Sequence, residues 1–487
     1  MAAEFAAAPK IRVLFATTEA APYVKVGGLA DVAGALPPTL TRLHADELDM
    51  RLIMPYHPQM KQKNLPVRKL GSFKLSTGAQ ALHVDLYVSS LEDVPLYLMD
   101  TRAIQEESAV YEGDPALDAT KYVPFSLAIL EACRFLGWVP DILHLNDWHT
   151  ALAAYALKTI YKSDPLFERV KTLLSVHNLP YNGYGAQPVM LEMGFAPSED
   201  PELPEWARFT PLPLGIASSD KVVFVSKGYA DEVLEEPMGS GLAEYLGLYP
   251  ERLDGFVNGI DTELWDPMTD PKLRHPFSHH NLSGKARNKA EFQEEYGFRV
   301  DERIPLLTVV SRLVNQKGID IILDALTEIR DLPWQFAILG TGDVLLEQRI
   351  REMAVSMPER VAAILKYDDA IAHEIYASGD LYLMPSLYEP CGLSQMFAMR
   401  YGNIPVARAT GGLRDTVTDY ASSPEEATGF LFEGTTGSEM AATLRQALTL
   451  FKDKEAWSEI QKNAMARDFS WNHASIAYWN LYRQLAA

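Results

Sequence analysis

Apolar and polar positions along this chain alternate between two kinds of stretch. Short, nearly unbroken apolar runs, IRVLFAT, DILHLN, TLLSVHN and KVVFVS, have the length and residue types of strands buried on both faces. Three are followed by stretches with helical spacing: DVAGALPPTLTRL, DWHTALAAYALKTIY and KGYADEVLEE. Strands alternating with helices predict a parallel sheet covered by helices on both faces. The rhythm restarts after Trp265 and a polar stretch from His275 to Lys289. There PLLTVVS, QFAILG, VAAILKY, LYLMPS and IPVARA alternate with helices such as IDIILDALTEI and LSQMFAMRYG. The expected fold class is α/β, with two doubly wound parallel-sheet domains.

In FVNGIDTELWDP, Gly259 permits a turn and Pro267 stops the segment after it, so a boundary is expected there. The expected division is 1–260, 261–466 and a C-terminal helix over 467–487. That helix, SWNHASIAYWNLYRQL, is amphipathic and aromatic. It fits a helix crossing back to the first domain and equally an ordinary core helix. A chain of 487 residues is long enough for two cores. Sheets of this type bind ligands at the carboxyl ends of their strands, so two facing domains would place chemistry in a central cleft.

Composition narrows the function. Apolar residues make up 47% and charged residues 22%, as in an ordinary folded protein. The net charge of −21 leaves no basic footprint for nucleic acid or an anionic membrane. It suits a neutral polyol, whose hydroxyls need hydrogen bonds and no countercharge. The two cysteines, Cys133 and Cys391, lie far apart and supply neither a disulfide framework nor a cysteine-rich zinc site. No basic leader precedes the first strand and no apolar run reaches membrane-spanning length, so a cytoplasmic protein is expected.

Candidate chemistry gathers where strands run into helices. In TTEAAPYVKVGGLADV, Lys25 precedes Gly27 and Gly28 at a helix start; such a loop can cradle a phosphate or be a plain turn. In VVSRLVNQKGIDII, Arg312 and Lys317 can clamp a diphosphate or form a solvated basic loop. In LYLMPSLYEPCGLSQ, Glu389 falls at a strand's carboxyl end and Ser394 at a helix start, suited to sugar hydroxyls and phosphate oxygens respectively. Asp147 and His149 follow one strand of the first half, and His177 and Asn178 another. His149 reads equally as a structural residue. His144 and His149 lack the spacing of a metal pair on one helical face, and the chain has no Asp-x-Asp. No metal and no cofactor are expected.

Taken together, KVGGLADV, the DWH and HNL boxes, VNGID, SRLVNQKG, EPCGLSQ and TGGLRDTV resemble, in order and spacing over nearly the whole chain, the glycogen and starch synthases that use nucleotide-glucose. The resemblance implies two Rossmann-like domains facing a central cleft, the architecture called GT-B. It also implies retaining transfer of glucose to the non-reducing end of an α-1,4-glucan, with ADP-glucose favoured over UDP-glucose as donor and ADP released. It places Lys25, Gly28, Arg312, Lys317 and Ser394 on the diphosphate. His177, Asp147, Asn258, Glu389, Cys391, Gly392 and Leu393 would surround the glucose, with Gly27 and Asn178 beside them, and Tyr367 would lie against the nucleobase. Glu19, Asp31 and His149 fall on the acceptor side. Related hexosyltransferases carry a second glutamate where this chain has Phe397, which favours the synthase branch. The departures, a short segment from Ala186 to Arg208 and Lys227 in FVSKGYADEV, bear on the acceptor. The oligomeric state is not legible in the sequence.

Overall fold

The computed structural model describes residues 9–63, 65–77, 80–101, 104 and 108–487. The chain divides into two compact units: Met1–Gly259 together with Trp471–Ala487, and Ile260–Ser470.

The first unit contains nine strands: β1 (Ile11–Ala16), β2 (Leu48–Pro55), β3 (Arg68–Thr77), β4 (Gln80–Leu91), β5 (Val94–Thr101), β6 (Ile142–Asn146), β7 (Lys171–Val176), β8 (Lys221–Phe224) and β9 (Leu253–Gly255). They form one sheet in the order β3-β4-β5-β2-β1-β6-β7-β8-β9. From β5 to β9 every pairing is parallel, as the apolar runs predict. The β3-β4-β5 edge is antiparallel, a departure from the expected all-parallel sheet. β3 and β4 place exposed positions between the buried ones, so they carry no unbroken apolar run, whereas β5, VPLYLMDT, is almost wholly buried.

The order reverses at β1, which lies between β2 and β6. That is the switch point where ligands bind in open α/β sheets. Helices are placed by local signals. The helix Pro115–Leu136 starts with Asp114 accepting from the amide of Ala116 and with a proline at its first position. It ends at Gly137, whose φ of 59° is left-handed.

The second unit repeats the plan with β10 (Leu306–Val310), β11 (Gln335–Leu339), β12 (Val361–Ile364), β13 (Leu381–Met384), β14 (Ile404–Arg408) and β15 (Phe430–Phe432). Its order, β12-β11-β10-β13-β14-β15, is the 3-2-1-4-5-6 arrangement of a dinucleotide-binding domain, parallel throughout. The switch point falls between β10 and β13.

The C-terminal helix, Trp471–Ala486, completes the core of the first unit, where Trp471, Tyr478, Trp479 and Tyr482 are buried with Val13, Phe15 and Leu36. The Tyr482 hydroxyl meets His144 Nδ1 at 2.6 Å, and the Trp479 ring stacks on His44 at 4.0 Å. Gly259 lies so close to Trp471 that a Cβ there would come within 2.8 Å of the indole. Among the described residues, no helix is long and apolar enough to cross a membrane.

Candidate active site

In the first unit the site grows from the ends of β1, β6 and β7. The loop after β1 is tied back by Glu19, which is 2% exposed. Its Oε2 accepts from the amides of Val26, at 2.5 Å, and Gly27, at 3.0 Å. Its Oε1 accepts from the Tyr111 hydroxyl at 3.1 Å, and that hydroxyl also lies 2.8 Å from Thr18 Oγ1. Burial raises the Glu19 pKa, and the two amides pull against that rise. The glycine loop is thus shaped by an internal carboxylate, which takes up two of the amides that an anion cradle would use. Gly28 opens the helix Gly28–Leu43, and exposed Lys25 pairs with Asp31 at 2.7 Å.

Asp147, at the end of β6, is the pivot of this half. Its backbone sits at φ 54°, a region that a non-glycine residue occupies only under constraint. Its carboxylate accepts from the amides of His177, at 2.7 Å, and Asn178, at 3.4 Å. It therefore locks the β6 loop to the β7 loop. Burial pushes the Asp147 pKa up to about 7.

His177 donates from Nε2 to Asn146 Oδ1 at 2.9 Å, and the Asn146 amide donates to the carbonyl of Ala16. This chain fixes the imidazole tautomer with Nδ1 as the acceptor. Burial holds the His177 pKa down at about 4, so the ring is neutral at neutral pH. Asn178 Oδ1 and Asn258 Oδ1 are buried without a hydrogen-bond partner among the described residues.

His149 is 7% exposed, its ring packed against Tyr111, Tyr122 and Trp148. Of the two readings its sequence position allows, this surrounding favours the structural one.

In the second unit the site grows from β10 and β13. Glu389 is 6% exposed, and its Oε2 meets Lys317 Nζ at 2.5 Å and the buried Ser386 hydroxyl at 2.9 Å. The loop bearing it is held on several sides. Gln316 donates to the carbonyl of Tyr388 and accepts on its own carbonyl from the amide of Leu387. Arg408 donates to the carbonyls of Ser386 and Leu387, and the Gly412 amide donates to the carbonyl of Glu389 at 3.0 Å. A Cβ on Gly412 would come within 2.1 Å of the Cys391 carbonyl oxygen, so only glycine permits this approach.

Gly392, at φ 75°, turns the chain from buried Cys391 through half-buried Leu393 into the short helix Ser394–Arg400. Ser394 opens that helix and is half-buried. Arg312 is exposed and makes no ion pair among the described residues. Tyr367, just past β12, is 85% exposed. Phe397 stacks on Trp265 at 4.0 Å, and Trp265 in turn stacks on His373 at 3.8 Å, so this position is apolar packing and not a second carboxylate.

Each unit therefore gathers most of its candidate residues near its own switch point, while Asn258, past β9, and Tyr367, past β12, follow strands at the sheet edges. Sequence reasoning missed Tyr111, Asn146, Ser386 and Arg408, whose roles rest on partners distant in sequence or on loop geometry. Asn146, next to Asp147, and Ser386, three residues before Glu389, lay close enough to be suspected. Among the described residues no group of three or more His, Cys, Asp or Glu is placed to hold a metal.

A starch synthase catalytic domain model matches residues 12–247, and a model of glycosyl transferases group 1 matches residues 289–464. The glycogen synthase of Streptococcus uberis is 39% identical over 481 residues, covering 98% of this chain and 99% of its own. That of Syntrophotalea carbinolica is 37% identical over 482 residues, covering 97% and 99%. Among solved structures, the catalytic domain of starch synthase IV from Arabidopsis thaliana, bound to ADP and acarbose, matches with a TM-score of 0.89 at 30% identity, covering 98% of this chain and all of that one. Sucrose-phosphate synthase from Thermosynechococcus elongatus, at 17% identity and a TM-score of 0.61, shares the fold alone.

Fold and relatives together define a glycosyltransferase built on two Rossmann-like units. Within that class, the chain belongs to the glycogen and starch synthase family.

Proposed function

We propose that the protein transfers glucose from ADP-glucose to the non-reducing end of an α-1,4-glucan, releasing ADP and retaining the anomeric configuration. The observation that carries this reading is the Glu389–Lys317–Ser386 cluster at the switch point of the second sheet, with Arg312 on the same loop as Lys317. Lys317 and Arg312 offset the charge that grows on the departing diphosphate, the largest electrostatic demand of the reaction. Glu389, held on a braced loop, orients the sugar through its hydroxyls. Tyr367 supplies an exposed ring for the nucleobase.

The first unit supplies a neutral His177, whose backbone carbonyl stabilises the positive sugar, and Asp147, which fixes that backbone. Retention then follows a front-side route. The bond from the anomeric carbon to the phosphate oxygen breaks, the acceptor hydroxyl attacks the same face, and its proton passes to the departing diphosphate. In this reading Lys25 and Gly28 serve the diphosphate, Gly27 belongs to the same loop, and Glu19 and Asp31 serve the acceptor.

The test is the initial rate of labelled glucose incorporation into glycogen from ADP-glucose and from UDP-glucose. Faster transfer from ADP-glucose, with lengthened chains, is expected. Absence of chain extension with either donor sinks the reading, and faster transfer from UDP-glucose corrects the donor.

A further inference from the structure

The loop after β7 leaves the site through Leu179 and carries two tyrosines, Tyr181 and Tyr184, which are 56% and 73% exposed. Neither ring stacks on another aromatic residue, and neither hydroxyl is hydrogen-bonded, among the described residues. The two rings, three residues apart on one loop, are open to a ligand from solvent.

The backbone beneath them is nevertheless firmly built. The Tyr181 amide donates to the carbonyl of Asn178 at 3.1 Å, and Asn182 Oδ1 accepts from the amide of Tyr184 at 3.0 Å. The Leu212 amide donates to the carbonyl of Asn182 at 3.0 Å. Gly183, at φ 83°, lies flat on the helix that follows Asp147, where a Cβ would come within 2.7 Å of the Trp148 ring and 2.8 Å of Pro211. A fixed loop that projects two rings outward is the usual construction of a recognition surface on a rigid scaffold.

The ligand is indicated by chemistry and by continuity. One turn back along the same loop stands Asn178, whose buried Oδ1 is an acceptor with no donor. That residue adjoins His177 of the proposed sugar site, so the two rings continue the same loop outward from it. Tyrosine offers a flat apolar face to sugar C–H groups and a polar tip to sugar hydroxyls, and the acidic chain needs no countercharge from a neutral polymer.

We infer that Tyr181 and Tyr184 form a stacking platform that carries the acceptor α-glucan beyond the glucosyl-transfer point and so sets the preference for long acceptors. This rests on the proposed function and extends it to a part of the acceptor that does not react.

The test compares the full-length protein with Tyr181→Ala, Tyr184→Ala, the double variant and Tyr184→Phe. Affinity for glycogen is read by retardation in glycogen-containing native gels without donor, and kinetics by labelled transfer to glycogen. Each alanine variant should weaken glycogen affinity roughly three- to tenfold, the size of one aromatic contact. The KM for ADP-glucose should stay unchanged, and Tyr184→Phe, which keeps the ring, should retain most of the affinity. If wild-type protein extends glycogen while the double variant binds and extends it equally well, the platform is overturned and the function stands. If wild-type protein transfers glucose to no glucan, the function falls and the platform with it.

Discussion

At the scale of single residues, the pair between Glu389 and Lys317 concentrates the proposed chemistry. Glu389→Gln keeps the size of the side chain and removes its charge. It is expected to lower kcat about a hundredfold, the scale of losing one preorganised electrostatic partner, while donor affinity changes little. Steady-state kinetics with ADP-glucose and equilibrium binding of ADP separate the two effects. Unchanged kcat would take Glu389 out of the mechanism.

The buried histidines of the first unit make a second expectation, about pH. Burial holds His57 and His177 down at about 4 and His144 at about 3, and pushes His149 well below its ordinary value. The unfolded chain takes up protons on these four rings as pH falls below 6.5, and the folded chain does not. Their contribution is therefore full above that pH and is lost on the way down toward 4, at about 1.4 kcal/mol per pH unit for each ring. Asp147 and Glu19 act in the opposite sense, because burial raises both, so their contribution is lost as pH rises through their folded values. Four rings outweigh two carboxyls. The unfolding midpoint should fall between pH 7 and pH 5, and His57→Gln should flatten that fall; urea titrations at fixed temperature measure both, and a midpoint independent of pH would contradict this balance.

At the scale of elements, the decisive object is the loop between β13 and the helix Ser394–Arg400. It is held by the neighbouring strand-end loop through Gln316, Lys317 and Gly318, and at Gly318 the two backbones lie in close contact. With φ 63°, a Cβ at this position would come within 2.3 Å of the Pro385 carbonyl oxygen. Gly318→Ala should cost about 1–3 kcal/mol through backbone strain alone. It should also lower turnover, since Glu389 moves with that loop; denaturant unfolding and initial rates check the two parts independently.

Elements are also where the sequence was most and least legible. The strands of the parallel sheets stand out because burial on both faces leaves unbroken apolar runs such as LLTVV and LYLM. β3 and β4 do not stand out, because strands with a solvent-facing side alternate and resemble amphipathic segments of other kinds. The boxes around Glu389 and Lys317 were legible as chemistry at strand ends. Their bracing by Arg408 and Gly412 was not, since those contacts join segments that only the sheet order makes neighbours.

At the scale of the whole molecule, the chain returns to its first unit after completing the second. The helix Trp471–Ala486 is part of the core it rejoins. Removing residues 471–487 strips Tyr478, Trp479 and Tyr482 from that core. Large aromatic truncations cost about 3–5 kcal/mol each, and the net stability of a domain is about 5–15 kcal/mol. A chain ending at Ser470 should therefore lack a folded first unit, seen as loss of its cooperative unfolding transition. Tyr482→Phe, which removes only the hydroxyl facing His144, should fold and lose about 1 kcal/mol. A fully folded truncated chain would show that the helix is ornamental.

By itself the sequence determined what local forces settle: where strands and helices begin, that two α/β units follow one another, and which polar residues fall at strand ends. Those features depend on neighbours along the chain, through hydrophobic periodicity, capping and glycine conformation. Only the tertiary structure decided that Glu19 closes the glycine loop, that Asp147 ties two strand ends together, that Lys317 grips Glu389, and that His149 belongs to the packing. The Asp147 and Lys317 contacts join strand ends that only the sheet order makes neighbours, and the settings of Glu19 and His149 depend on burial, which no spacing along the chain encodes.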